Sequence, residues 1–215
     1  MDRWVVLDVG ETLIDESRIW AIWADVLGIP RLTFMAVLGA AVERGGGYGR
    51  IFDEFAIDEP TWRARVPEVE ERYGGFREQD LYPDAHRAVD ALAGQGYHVG
   101  LVANQPASRT AELRALGFDT EVIAMSDEMG VAKPDPAFFA RVLEMAGNPD
   151  PRQVAYAGDR VDNDVIPAAA AGMRAIWVRR GPWGLIQQVG SATPALTVVS
   201  LDELAAKIGE AWPGG

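Results

Sequence analysis

Residues 4–13 read WVVLDVGETL and place four apolar side chains, Trp4–Leu7, directly before Asp8. A short, continuous apolar run that ends in a polar loop is typical of a strand buried on both faces of a sheet. Five similar runs follow, at residues 97–103, 122–125, 154–157, 175–178 and 196–199. The chain is therefore predicted to form a sheet whose first strand ends at Asp8.

The segments between these runs carry apolar residues at helical spacing. Amphipathic patterns of about ten residues each predict helices at 84–92, 108–116, 136–146, 163–171 and 201–211. Strands that alternate with helices indicate βαβ units. Such units build an α/β fold whose parallel sheet is covered by helices on both faces.

One segment interrupts this alternation. Between the first strand and residue 80, apolar residues follow helical spacing at 19–27, 34–42, 51–57 and 61–73, without a convincing strand pattern. This predicts an all-helical insertion. We expect residues 15–80 to form a helical cap domain, and residues 1–14 and 81–215 to form the core that contains the sheet.

The chain has 215 residues, a formal net charge of −12 and no cysteine. A negative chain disfavours nucleic acid and anionic membranes as partners, because both attract clustered Lys and Arg. No apolar run approaches the ~20 residues of a membrane span, and the N-terminus lacks the pattern of a secretory signal. We expect a cytoplasmic protein; a monomer and a homodimer both remain open.

Polar residues follow several of the predicted strands. Asp8 comes after the first, Asn104 after the second, and Asp159 and Asp164 after the fourth. Ligands of an open parallel sheet bind beyond the carboxyl ends of its strands. A single Asp there commonly caps the next helix, but several carboxylates at one edge repel unless a cation holds them. Because oxygen ligands suit Mg²⁺, which also binds phosphate, the pattern predicts a Mg²⁺ site.

Lys133 stands out for a different reason. Of the 20 basic residues, only Lys133 and Lys207 are lysines, and the others are arginines. A site that needs a compact ammonium group rather than a planar guanidinium would retain a lysine. Lys133 follows the third predicted strand, so it is a candidate for the same edge of the sheet.

The order of these segments resembles the haloacid dehalogenase (HAD) superfamily over nearly the whole chain. Residues 8–13 (DVGETL) are similar to its first motif, Asp-x-Asp-Gly-Thr-Leu, and residues 101–104 (LVAN) are similar to its second. Residues 133–136 (KPDP) match the third motif, and residues 158–173, which begin with GD and end with AAAGM, match the fourth. Residues 81–85 (LYPDA) resemble the return from an inserted cap.

This resemblance implies a Rossmann-like, doubly wound core and a Mg²⁺-dependent hydrolase that acts on a small phosphate ester, with Asp8 as the nucleophile. It implies further catalytic roles for Lys133 and Asn104. The substrate is expected to contact Thr12, Asn104, Lys133 and Arg50. The metal site is expected to comprise Asp8, Gly10, Asp159 and Asp164.

The cap is expected to close over this site and to exclude water. Its candidates for substrate contact are Trp20, Trp23, Tyr48, Arg50 and Trp62. Aromatic residues at helical spacing are more often part of a core, so we expect Trp20 and Trp23 to pack inside the cap. Arg50 follows a glycine-rich stretch and is the residue that we expect to contact the anion.

The sequence departs from the family pattern at two positions. Gly10 stands where phosphatases usually carry a second Asp, which is the general acid and base. Ala103 stands where a Ser or Thr binds the transferring phosphoryl group. Glu11 is adjacent, but neighbouring residues of a strand point in opposite directions, so a loop contact is the more natural role for it. Because the loss of a general acid costs roughly 10²–10⁴-fold in rate, we expect a slow phosphatase or one suited to substrates with good leaving groups.

Two other functions remain open on the same sequence. A haloacid dehalogenase shares the nucleophile, lacks the second Asp and needs an Arg soon after the first motif, where Arg18 is a loose match. A catalytically weakened protein that binds a ligand or a partner would explain both Gly10 and Ala103. Asp159 and Asp164, which a metal site would retain, favour the phosphatase over the dehalogenase.

Overall fold

The computed structural model describes residues 2–45 and 47–212. Six strands form one sheet in the order β3-β2-β1-β4-β5-β6, and each adjacent pair is parallel. The strands are β1 (Trp4–Leu7), β2 (His98–Ala103), β3 (Val122–Met125), β4 (Val154–Gly158), β5 (Arg174–Val178) and β6 (Leu196–Val198). The predicted α/β fold with a Rossmann-like, doubly wound sheet is confirmed.

The strand order reverses at β1, which pairs with β2 on one side and with β4 on the other. All four residues of β1 are buried, as expected for the centre of a sheet covered on both faces. Asp8 follows β1 directly. It therefore lies at the point where the chain winds in two directions, which is where ligands of open α/β sheets bind.

The described residues contain these α-helices: α1 (Ser17–Leu27), α2 (Arg31–Glu43), α3 (Arg50–Asp53), α4 (Glu59–Arg63), α5 (Val66–Tyr73), α6 (Ala85–Gly94), α7 (Ser108–Ala115), α8 (Ser126–Met129), α9 (Pro136–Met145), α10 (Ile166–Ala170), α11 (Gly181–Ile186) and α12 (Leu201–Lys207). Helices α6, α7 and α12 share one hydrophobic core with the sheet. Helices α9 and α10 share a second core with it. The sheet is thus covered on both faces, as predicted.

The five helices α1–α5 follow β1, and the described residues between 15 and 80 contain no strand. Their apolar side chains form a third core, separate from the two that cover the sheet. Trp20, Trp23 and Trp62 belong to it and are at most 8% exposed. The predicted all-helical insertion is confirmed, and Trp20 and Trp23 pack inside it as expected.

Proline explains three differences from the predicted elements. The helix predicted at 61–73 is divided into α4 and α5, because Pro67 lies in the first turn of α5 and cannot continue a preceding helix. No helix was predicted between residues 178 and 196, but Gly181–Ile186 form α11, with Pro182 in its first turn. The helix predicted at 163–171 begins instead with a π-helical turn, Val161–Val165, and Pro167 lies in the first turn of α10.

Within the described residues, no single helix is long and apolar enough to cross a membrane. Helices α1 and α2 reach that length and composition only as a pair, with a bend of 114° between them.

Candidate active site

Asp8 is fixed at the carboxyl end of β1. Its backbone N–H donates to the carbonyl oxygen of Ala157 at 2.8 Å, which continues the pairing of β1 with β4 beyond the strand. The Asp8 side chain is 9% exposed, and its Oδ1 lies 2.8 Å from Nζ of Lys133. Because the neighbouring strands hold its backbone, this carboxylate has a defined direction at the edge of the sheet.

Lys133 reaches the same point from the loop after α8. Its side chain is 1% exposed, and its Nζ donates to Asp164 Oδ1 at 2.6 Å as well as contacting Asp8. Asn104 holds the loop from the end of β2: its Nδ2 donates to the Lys133 carbonyl at 2.9 Å, and its Oδ1 accepts from the Lys133 N–H at 2.8 Å. Asn104 therefore positions the lysine.

Asp164 lies in the π-helical turn after β4 and is fully buried. Its Oδ2 accepts from the backbone N–H of Arg160 at 2.9 Å. The absence of a side chain at Gly158 is required, because a Cβ there would lie 2.4 Å from Cγ of Asp164. The Gly-Asp pair at 158–159 thus lets the turn fold back onto the end of its own strand.

Asp159 is 2% exposed, and its Oδ2 is a buried atom without a hydrogen-bond partner among the described residues. One carboxylate oxygen from each of Asp8, Asp159 and Asp164 can lie within 4.8 Å of the others. Three buried carboxylates so close together carry more negative charge than the single ammonium of Lys133 neutralises.

The pKa values in this cluster reflect burial and crowding. Burial raises the pKa of Asp8 to about 6, although Lys133 opposes the rise. Burial, together with repulsion from Asp164 and Asp8, raises the pKa of Asp159 well above its ordinary value. Burial alone would lower the pKa of Lys133, but Asp164 and Asp8 raise it well above the ordinary value, so the lysine is charged.

A cavity of about 290 Å³ opens above the cluster. Core residues and cap residues both contribute to its walls, and the lining residues are Asp8, Gly10, Glu11, Glu16, Tyr48, Asn104, Gln105, Lys133, Asp159, Arg160, Asn163 and Trp183. Tyr48 stands on the cap side, where its hydroxyl accepts from the indole N–H of Trp23 at 2.8 Å. Trp183 of α11 packs in the core of the cap. The guanidinium carbon of Arg160 lies 5.2 Å from the centroid of the Trp183 ring.

The structure brings together most of the predicted site residues, but not all of them. Asp8, Gly10, Asn104, Lys133 and Asp159 line the cavity. Asp164 lies directly behind Asp8 and Lys133 and is part of the cluster.

Two predicted substrate contacts lie elsewhere. Arg50 begins α3, is exposed and does not line the cavity, whereas Tyr48, two residues earlier, does. Thr12 is fully buried, and its hydroxyl has no hydrogen-bond partner among the described residues. Thr12 does not line the cavity.

A family model described as haloacid dehalogenase-like hydrolase matches residues 3–172. The chain belongs to this family. The predictions of HAD membership and of an HAD-like hydrolase enzyme are confirmed. The chain is 30% identical over 197 residues to the phosphoserine phosphatase of Thermus thermophilus, a match that covers 89% of this chain and 74% of that protein.

Solved structures are similar to this chain in fold. A predicted phosphoglycolate phosphatase from Haemophilus somnus superposes with a TM-score of 0.74 at 20% identity and covers 96% of this chain and 97% of that one. A 2-haloacid dehalogenase from Pseudomonas syringae superposes with a TM-score of 0.64 at 22% identity and covers 97% and 99%. Both kinds of enzyme share this fold, so the choice between them depends on the site.

Two carboxylates of this HAD-like hydrolase lie close to Gly10, and they differ in their partners. Both oxygens of Glu11 are engaged: Oε2 accepts from the Tyr82 hydroxyl at 2.6 Å, and Oε1 accepts from the Glu16 N–H at 3.2 Å. Glu16, at the start of α1, accepts from Nε2 of Gln105 at 3.2 Å through its Oε1. Burial raises the pKa of Glu11 to about 7 and that of Glu16 to about 8.

Sequence reasoning did not single out Glu16, Arg160 or Asn163 as parts of the site. Arg160 and Asn163 follow β4 as Asp159 and Asp164 do. The expectation that ligands bind beyond the carboxyl ends of the strands therefore applies to them as well. Glu16 offered no comparable signal, because it lies beyond the turn that leaves β1.

Proposed function

We propose that this chain is a Mg²⁺-dependent phosphohydrolase with Asp8 as its nucleophile and a small phosphate ester as its substrate. The observation that carries the proposal is the buried cluster at the sheet edge. It combines oxygen atoms of Asp8, Asp159 and Asp164 within 4.8 Å of one another with the ammonium of Lys133. Curated relatives of this chain include phosphatases that act on small phosphorylated metabolites by name.

The donor set suits Mg²⁺. All three groups offer carboxylate oxygens, and the buried Oδ2 of Asp159 has no partner among the described residues. Mg²⁺ prefers one or two carboxylates and shares its remaining positions with water and substrate phosphate. Asp8, Asp159 and Asp164 would hold the ion, together with the backbone at Gly10. When bound, the metal offsets the charge of the phosphate and of the carboxylates.

Each residue of the site then has a separate role. Asp8, directed by β1, attacks the phosphorus atom and forms an aspartyl-phosphate, an established route of covalent catalysis. Lys133 orients Asp8 through its contact at 2.8 Å and places a positive charge beside the phosphoryl oxygens. Asn104 fixes the backbone of Lys133. Tyr48 and Trp183 cover the cavity and limit the access of water.

The size of the cavity and the charge of the chain support a small partner. A volume of about 290 Å³ lies at the lower end of what ligand sites occupy. A net charge of −12 opposes the binding of nucleic acid or of an anionic membrane surface. We propose a small phosphorylated molecule as the partner.

We also propose that residues 15–80 act as a cap on a core formed by residues 1–14 and 81–215. The two crossings between these parts lie side by side. Ile14 bridges to Leu81, the Asp15 N–H donates to the Asp80 carbonyl at 2.7 Å, and the Tyr82 N–H donates to the Leu13 carbonyl at 2.9 Å. Two adjacent connections of this kind support a hinge between the cap and the core.

The dehalogenase is less well supported. Arg18, the loose match for a halide-binding arginine, is engaged by Asp80 and by the carbonyl oxygens of Tyr73 and Gly75, and it does not line the cavity. The ligand-binding alternative rests on Gly10 and Ala103, because neither side chain can donate to a substrate oxygen.

A screen of phosphate esters with and without Mg²⁺, with chloroacetate as a control for dehalogenation, tests the proposal. We expect phosphate release that depends on Mg²⁺ and no release of chloride. Release of chloride without a requirement for metal would favour the dehalogenase. Tight binding of esters without turnover would favour the weakened protein.

A further inference from the structure

Hydrolysis of a phosphate ester needs a proton at the oxygen of the leaving group. In the family this proton comes from the second Asp of the first motif, and here Gly10 occupies that position. On the proposed function, another group of this chain has to stand where the missing carboxylate would stand.

The space beside Gly10 is filled by the carboxylate of Glu16. A Cβ built on Gly10 would lie 2.4 Å from Glu16 Oε1 and 2.9 Å from Glu16 Cδ, which is closer than non-bonded atoms approach. In an aspartate, standard bond lengths place the carboxylate oxygens about 2.4 Å from their own Cβ. An oxygen of Glu16 thus stands as far from the Cβ position of residue 10 as a carboxylate oxygen of an aspartate there would stand.

Glu16 reaches this place from the chain that enters the cap. It is the residue before α1, yet its side chain makes no capping hydrogen bond to that helix. The side chain turns instead to the cavity that it shares with Asp8, where Gln105 donates to it. Helix capping therefore does not account for its position.

Glu11 is the competing carboxylate, and its contacts argue against it. Tyr82 and the Glu16 N–H occupy one oxygen each. A group that gives and takes a proton needs a free edge toward the substrate. The same contact makes Glu11 a support for the backbone of Glu16.

We propose that Glu16 supplies the acid and base function that Gly10 lacks. In the first step Asp8 Oδ bonds to phosphorus, the bond from phosphorus to the ester oxygen breaks, and the proton of Glu16 moves to that oxygen. In the second step a water molecule attacks the phosphorus of the aspartyl-phosphate, Glu16 takes a proton from the water, and the bond from phosphorus to Asp8 breaks. The carboxylate returns to its protonated form and inorganic phosphate leaves.

The test compares Glu16→Gln with the wild type on two esters in Mg²⁺: p-nitrophenyl phosphate and the alkyl phosphate that the wild type hydrolyses best. Since kcat/KM reports the step that releases the leaving group, we expect it to fall 10²–10⁴-fold for the alkyl ester. It should change by less than about tenfold for p-nitrophenyl phosphate, whose leaving group needs little protonation. Because the second step is also slowed, a burst of p-nitrophenol and a phosphorylated protein in intact-mass spectra should appear.

Matched variants complete the design. Glu59→Gln, an exposed carboxylate of α4, should behave as the wild type. Gly10→Asp alone should lose activity, because its side chain meets Glu16. Gly10→Asp combined with Glu16→Ala should have a kcat/KM on the alkyl ester at least tenfold above that of Glu16→Ala alone. This pair of variants replaces Glu16→Gln as the test if Glu16→Gln is unstable.

Several outcomes overturn the inference. One is an equal fall in kcat/KM on both esters in Glu16→Gln, and another is no fall on either. A third is a fall confined to the alkyl ester in Glu11→Gln instead of Glu16→Gln. A wild-type protein that is silent on every ester overturns the proposed phosphatase itself. That result is distinct, since it precedes any comparison of variants.

Discussion

Asp159→Asn offers a test in which two effects of opposite sign come from one atom. In the metal-free protein, the buried Oδ2 of Asp159 has no partner among the described residues and faces the charges of Asp8 and Asp164. A buried group without a partner costs about 1–3 kcal/mol. An uncharged Asn removes the repulsion. In EDTA, the free energy of unfolding of the variant should therefore exceed that of the wild type by about 1 kcal/mol.

The same substitution should remove the response to metal. A ligand present at 100 times its Kd stabilises the native state by about 2.7 kcal/mol. For a chain of 215 residues, each kcal/mol raises the Tm by about 2–4 °C, so saturating Mg²⁺ should raise the Tm of the wild type by about 5–10 °C. In Asp159→Asn this rise should fall to about 2 °C or less.

Thermal unfolding followed by circular dichroism, in EDTA and in Mg²⁺, measures both effects. Asp25→Asn is the matched control, because Asp25 is exposed on α1 and pairs only with Arg31 among the contacts described. It should retain the full Mg²⁺ response. A full Mg²⁺ response in Asp159→Asn, or no response in either protein, would refute the metal site. A loss of several kcal/mol in EDTA would show that Asp159 is a structural residue.

Three further outcomes follow from the groups that line or lie beneath the cavity. Asp8→Asn should abolish turnover and leave the circular dichroism spectrum unchanged; turnover near that of the wild type would remove Asp8 as nucleophile. Lys133→Met should lower the free energy of unfolding in urea and EDTA by about 3–5 kcal/mol, because it leaves buried carboxylates uncompensated; a loss under about 1 kcal/mol would contradict that. Glu16 binds its proton more tightly in the folded state, where its pKa is about 8 rather than 4.5, so the stability of the metal-free protein should fall as pH rises through that window. The fall, measured as Tm against pH, should be shallower in Glu16→Gln, and an equal slope would count against the raised pKa.

The sheet was predictable because its strands are buried on both faces. Such strands form continuous apolar runs, and β1 was assigned with the bounds that the structure has. Helix boundaries were less accurate where proline intervenes, as at Pro67 and Pro182. The π-helical turn Val161–Val165 had no signal of its own, because five residues are too few to show a periodicity distinct from that of an α-helix.

The cluster was predictable from a rule that depends on topology alone. Residues directly after parallel strands meet at one edge, which brought Asp8, Asn104 and Asp159 together before any contact was known. Arg50 was assigned by its charge and by a nearby glycine-rich stretch, and neither property fixes where a short helix such as α3 directs its side chains. The prediction for Arg50 therefore rested on no geometric constraint, and the structure places the residue away from the cavity.

Glu16 shows why a motif with a missing residue can mislead. The sequence reports that position 10 has no side chain, and it draws attention to the adjacent Glu11. Residues 10 and 11 lie in the turn after β1, and both Glu11 and Glu16 line the cavity. Glu11 meets Tyr82, whereas the carboxylate of Glu16, five residues further along the chain, reaches the space beside Gly10. Only folding relates positions 10 and 16, because the turn after β1 brings the start of α1 back against the strand end. Any side chain at position 10 would have to displace the end of the Glu16 side chain. It follows that Gly10→Asp is not a simple repair, and that positions 10 and 16 have to be changed together.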